Sequence, residues 1–149
     1  MRAYLDAGLL FTTLVETGGS GEANQILQEA KPPLELNLLH HLQAENFIAK
    51  LLTAKEPGRQ NAGGKASRLW RRYVDEGVFQ LVEPNWQDAL RLSIAWTRRY
   101  TNEPPVPLLI LHPALALLGG ATHFSSFDPR SRLIAKAAGL KLLPQTLDL

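Results

Sequence analysis

Short apolar runs alternate with longer stretches of helical periodicity along the whole chain, and this alternation constrains the fold more than any single motif. The short runs are Met1 to Leu5, Leu34 to Leu39, Val78 to Val82, Thr122 to Phe127 and Lys141 to Leu143. Turn formers bound them: Asp6-Ala7-Gly8, Lys31-Pro32-Pro33, Gly77, Asp128-Pro129 and Pro144. Runs of this length between such residues read as strands. Strands that alternate with helices must pair in parallel through crossovers. The expectation is therefore an α/β fold, a mostly parallel sheet with helices on both faces. At 149 residues the chain fits one domain spanning 1–149.

The helical segments carry their own boundary signals. Leu9 to Val15 reads as the first turns of a helix, and Thr17 to Gly21 as a loop. Ala23, Ile26, Leu27 and Ala30 share one face of a helix over Glu22 to Glu29. His41 to Leu52 is a helix buried on one side through Leu42, Phe47, Ile48 and Ala49. Lys55 to Lys65 holds Pro57, Gly58, Gly63 and Gly64, and reads as an exposed, mobile loop. Ser67 is then the cap of a helix through Leu69, Trp70, Tyr73 and Val74. Asn85 caps the next helix, through Trp86, Leu90, Ile94 and Trp96, with Asp88 supporting its dipole. Thr101 to Pro105 is a turn. Val106 to Leu118 is a buried helix that Pro113 must kink or begin. Asp128 caps a helix from Arg130 to Ala138, closed by Gly139.

Composition removes several classes of function. There is no cysteine, so disulfides and thiolate metal sites are excluded. A reducing, cytoplasmic location is the matching expectation. Asp6 interrupts the apolar core that a leader peptide needs, so no leader is expected. No stretch has about 18 uninterrupted apolar residues, so no membrane span is expected. The net charge of +2 argues only weakly for a nucleic-acid partner. Its distribution says more: Arg68, Arg71 and Arg72, then Arg91, Arg98 and Arg99, recur on two helices whose simplest role is a solvated face. Trp70, Trp86 and Trp96 read as core or dimer-interface residues. No glycine stretch has phosphate-loop spacing.

Three segments together resemble the PIN domain family, especially its toxin ribonucleases of the VapC type. Met1-Arg2-Ala3-Tyr4-Leu5-Asp6 is similar to the family's opening strand and first metal-binding Asp, although Ala7 and Gly8 stand where Thr-Ser is usual. Leu39 to Asn46 is similar to a family helix start in which Glu precedes Asn by three residues. The tail from Leu108 to Pro144 carries Leu111-His112, Phe124, Phe127-Asp128, Ala135 and Ala138-Gly139-Leu140. The tail is the most specific part, and the likeness covers nearly the whole chain. It implies a three-layer α/β/α sandwich around a central parallel five-stranded sheet of order 3-2-1-4-5. It also implies that Asp6 and Asp128 flank the crevice beside the switch point of that sheet.

The resemblance further implies a metal-assisted phosphodiester hydrolase, in which three or four carboxylates hold Mg²⁺ or Mn²⁺. Matched residue by residue, Asp6 takes the first acidic position and Asp128 the fourth. Gln43 occupies the second and can offer only a neutral carbonyl. Leu109 occupies the third and offers no lone pair. Glu45 lies about 200° around the helix from Gln43 and should point away. Glu103 is a distant alternative. His112 reads as a buried, hydrogen-bonded histidine, and the His40-His41 pair lacks further ligands. Without the resemblance, Asp128 is explained as a helix cap, and Asp6 as a turn residue bonding backbone N–H groups.

Three functions follow as expectations. The first is a degenerate ribonuclease domain that binds RNA or a protein partner, with cleavage weakened or lost. The second is an active Mg²⁺- or Mn²⁺-dependent toxin held by a small antitoxin. The third is a non-catalytic scaffold, with a homodimer as its assembly.

Overall fold

A computed structural model describes residues 1–100 and 107–147. In chain order the first elements are β1 (Ala3–Leu5), α1 (Ala7–Leu14), α2 (Ser20–Ala30), β2 (Leu34–Leu36), α3 (Leu38–Leu52) and α4 (Pro57–Asp75). β3 (Phe79–Leu81), α5 (Trp86–Arg99), α6 (Pro107–Leu118), β4 (His123–Ser125), α7 (Pro129–Ala137) and β5 (Lys141–Leu143) follow. The expected turn at Thr101 to Pro105, the Val106 helix start and Glu103 lie outside the described residues. Contacts divide the chain into two compact units, one of Met1–Asp6 with Glu83–Leu149 and one of Ala7–Val82.

The α/β class and the parallel strands stand as expected, but the single five-stranded sheet does not. Among the described residues β1, β4 and β5 form one parallel sheet in the order β1-β4-β5, and β2 with β3 forms another. Every strand is only three residues long. Ladders this short contribute few backbone bonds, so whether a sheet continues depends on packing that an apolar pattern does not encode.

In the unit of Met1–Asp6 and Glu83–Leu149, the register pairs Tyr4 with Phe124 and Leu5 with Ser125. Paired residues share a face, and the Tyr4 and Phe124 rings stack at 6.0 Å. The Tyr4 hydroxyl lies 2.8 Å from His112 Nδ1, which places α6 over this face. α5 packs on α6, and α6 on α7. Trp96, Ile110, Ala114 and Ile134 form the core between these helices. Pro113 sits inside α6 without ending it. Lacking an N–H, it leaves the Leu109 carbonyl without its helical donor. Ser131 Oγ on α7 donates to that carbonyl at 2.9 Å, so the lost bond is replaced and α6 is tied to α7.

In the unit of Ala7–Val82, α3 and α4 pack together, α1 packs on both, and β2 pairs with β3. Phe11 of α1 stacks on Phe47 of α3 at 4.3 Å, and Trp70 meets Phe79 at 5.7 Å. The expected mobile loop at Lys55 to Lys65 is instead the first half of α4. Pro57 occupies its first turn, where a missing N–H costs nothing. A Cβ on Gly63 would stand 2.9 Å from both Leu51 Cβ and Leu52 N. Glycine is therefore present because α3 and α4 approach closely there. Ser67 is consequently mid-helix and caps nothing. α3 starts earlier than His41, at Leu38, because Asn37 caps it through Leu39 N–H and His40 N–H.

Candidate functional site

Asp6 follows β1 directly, and its N–H continues the ladder by donating to the Ser125 carbonyl at 2.9 Å. It is 6% exposed. A carboxylate buried to that degree needs partners. Ser126, the residue after β4, is fully buried and its hydroxyl donates to Asp6 Oδ2. The same hydroxyl accepts the Asp128 N–H at 3.0 Å. One serine thus joins the Asp6 carboxylate to the Asp128 backbone across the carboxyl ends of two adjacent strands.

Asp128 performs a second task. Its Oδ1 accepts Arg130 N–H at 2.9 Å and Ser131 N–H at 3.1 Å, which caps α7. Its Oδ2 lies 3.1 Å from Arg130 Nη2. Partial burial pushes the carboxyl pKa up, but the Arg130 guanidinium and the two capping amides outweigh it, so the net shift is downward. The folded value lies below the ordinary 3.8. The stabilisation it carries is complete above 3.8 and is lost as pH falls through the lower folded value. Asp128→Ala is expected to lower stability by about 1 kcal/mol, while Asp128→Asn retains the cap acceptor without the charge and should recover only part of that. Urea unfolding from pH 7 down to pH 2 checks this. A gap between wild type and Asp128→Ala that persists unchanged at the acid end would reject the charged-cap account.

Arg132, one turn into α7, is the third member, and nothing in the sequence pattern singles it out. It is 6% exposed. Its Nη1 donates to the carbonyls of Ser126 at 2.9 Å and Leu143 at 3.1 Å. Its Nη2 donates to the Pro144 carbonyl at 2.8 Å. One guanidinium therefore gathers the chain ends that leave β4 and β5. Burial pulls its pKa down, and the Asp6 carboxylate pushes it back up. Asp6 and Arg132 bond the same buried residue, Ser126, through its hydroxyl and its carbonyl, so two buried opposite charges lie near each other.

The other candidates are distributed as follows. Leu109 is half-buried on α6, and its carbonyl is held by Ser131, three residues beyond Asp128. Gln43 is half-buried on α3 and Glu45 is exposed, both in the unit of Ala7–Val82. Glu45 pairs with His41 at 3.5 Å. His40 is fully buried, and its Nδ1 accepts the Asn37 N–H at 3.1 Å, completing a capping box. The two histidines serve different local contacts. Trp70 and Trp96 are each 5% exposed, so they are core residues and cannot be the outward face of a dimer contact.

No protein-family model matches this sequence, and no curated protein matches it significantly. The chemistry of the donors must therefore carry the argument. A hard dication wants several convergent oxygen ligands. Here one carboxylate is buried against a serine hydroxyl beside a guanidinium, and the other caps a helix. Among the described residues no three acidic or histidine side chains converge. This donor set fits Mg²⁺ or Mn²⁺ poorly. It fits a charge-balanced structural clasp well.

Proposed function

We propose that this chain is a degenerate PIN-type domain of the metal-dependent ribonuclease lineage, in which the acidic centre has become structural and cleavage is weak or lost. Two features support the lineage. Asp6 and Asp128 follow the neighbouring strands β1 and β4, and the neighbour pairs β3-β2 and β1-β4-β5 are segments of the strand order that the resemblance implies. The observation that carries the loss of activity is the occupation of Asp6 by Ser126 with Arg132 beside it. A positive charge already placed there repels a second cation, and Leu109 adds an aliphatic side chain where a third acid would stand.

The domain then works by binding. RNA, an antitoxin-like protein and a second copy of the chain are the partners that this reading takes. The exposed arginines of α5, Arg91, Arg98 and Arg99, support an anionic partner. On the same helix Leu90 is 51% exposed and Ile94 74% exposed, which supports a homodimer contact. Among the described residues no helix is long and apolar enough to cross a membrane.

The test is cleavage of single-stranded RNA by purified protein with Mg²⁺ or Mn²⁺, alongside Asp6→Asn. The expected result is no turnover above the Asp6→Asn background, and no Mn²⁺ binding heat below millimolar concentration. Robust turnover that Asp6→Asn abolishes would instead establish an active toxin-like ribonuclease.

A further inference from the structure

We infer that the open edge of β5 is a docking groove for an extended acidic segment of a partner protein, added as a further strand. This does not depend on the nuclease lineage, and it concerns residues outside the Asp6 clasp.

A cleft of about 350 Å³ is lined by Leu140, Lys141, Leu142 and Leu143, with His123, Lys136 and Gln145 around them. Successive strand residues point to opposite faces. Lys141, Leu142 and Leu143 all touch the cleft, so it follows β5, and His123 on the adjoining β4 shows that it also opens onto one face of the sheet. β5 terminates its sheet among the described residues. Lys141 N–H donates to Thr122 O at 3.1 Å, and Leu143 O accepts Ser126 N–H at 3.1 Å. These two residues face β4. Alternate residues of a parallel strand bond to opposite neighbours, so the Leu142 N–H and C=O are turned away from β4, toward the free edge beside the cleft.

The chemistry of the lining selects the occupant. Lys136 comes from α7 and Lys141 from β5, and both are exposed. Among the described residues no acid lines the cleft. Burial, Lys141 and the chain's amino terminus all push the His123 pKa down, so the two lysines supply the charge at neutral pH. Lysines at a sheet edge commonly repel stray strands. Lys141 alone fits that role, but Lys136 belongs to a helix, and a repelling edge needs no groove floored by the buried Leu140 and Leu143. An extended segment satisfies all three features. Its backbone meets Leu142, its apolar side chains meet the leucines, and its alternating acids meet the lysines.

The test uses the full chain, isotopically labelled, titrated with acetyl-Thr-Glu-Val-Glu-Thr-amide and followed by amide NMR. Saturable shifts are expected at Lys141 and Leu142. Lys136→Met and Lys141→Met should each weaken binding by about fivefold, the size of one exposed ion pair. Because only alternate peptide N–H groups face the groove, N-methylating the valine or N-methylating both glutamates should have opposite consequences, one abolishing binding and the other sparing it. The proposal is overturned by an absence of saturable shifts, by unchanged affinity in both lysine variants, or by equal effects of the two methylation patterns. It is equally overturned if N-acetylglutamate binds as tightly as the peptide, since that describes a small-anion site.

Discussion

Arg132→Ala is expected to cost about 3–5 kcal/mol of folding stability, the scale of removing one partner from a buried charge pair. Two losses add together. The carbonyls of Ser126 and Pro144 lose the Arg132 donor and Leu143 O keeps only the Ser126 N–H, and buried groups without partners cost about 1–3 kcal/mol. The Asp6 carboxylate, 6% exposed, also loses the opposite charge beside it. Arg132→Lys should fall between, because an ammonium keeps the charge but cannot span several carbonyls with a planar fork. In urea, with a slope of about 2 kcal/mol/M, the midpoint should drop by roughly 2 M for the alanine variant. A double-mutant cycle separates the two losses. If the charge pair matters, Asp6→Asn costs less in the Arg132→Ala background than in wild type, by about 0.5–3 kcal/mol. An alanine variant with a wild-type midpoint would sink the clasp, and with it the argument that the acidic centre is structural.

The adjacent glycines of α4 should respond in opposite directions. Gly64 in α4 would place a Cβ only against the mobile tip of Arg68, at 3.6 Å. Gly64→Ala should therefore gain about 0.5–1 kcal/mol, the helix-propensity difference. A Cβ at Gly63 meets Leu51 Cβ and the Leu52 backbone nitrogen at 2.9 Å, and backbone cannot step aside. Gly63→Ala should be net destabilising despite the same propensity gain, and Gly63→Val should cost about 3 kcal/mol as α3 and α4 are forced apart. In thermal unfolding, about 1 kcal/mol corresponds to roughly 2–4 °C of Tm for a chain of this size. Equal stabilisation by Gly63→Ala and Gly64→Ala would mean that the helices do not touch as closely as described.

These glycines show where reading the chain by local rules stopped working. Pro57, Gly58, Gly63 and Gly64 lower helix propensity, and locally they spell a loop. The helix forms because its apolar face, with Ala66 and Trp70, is buried, and Gly63 permits the approach. Caps were more legible. Asn85 and Asp128 cap their helices as their spacing indicates, since a cap is a contact over two or three residues. At the candidate site, the positions of Asp6 and Asp128 at strand ends could be read directly. Ser126 and Arg132 could not be singled out, because a serine after a strand and an arginine in a helix are ordinary until one knows which strand lies alongside.

Sequence by itself determined the order of helices and strands, the parallel sense of the pairing, and the caps at Asn85 and Asp128. Tertiary structure alone decided that the strands form two ladders among the described residues, that α4 begins as early as Pro57, and that a buried guanidinium stands near Asp6. The physical reason is range. Periodicity and capping act within a few residues and leave their mark in composition. Sheet continuity, close helix approach and charge pairing join residues far apart in the chain, and their energies exist only once those residues meet.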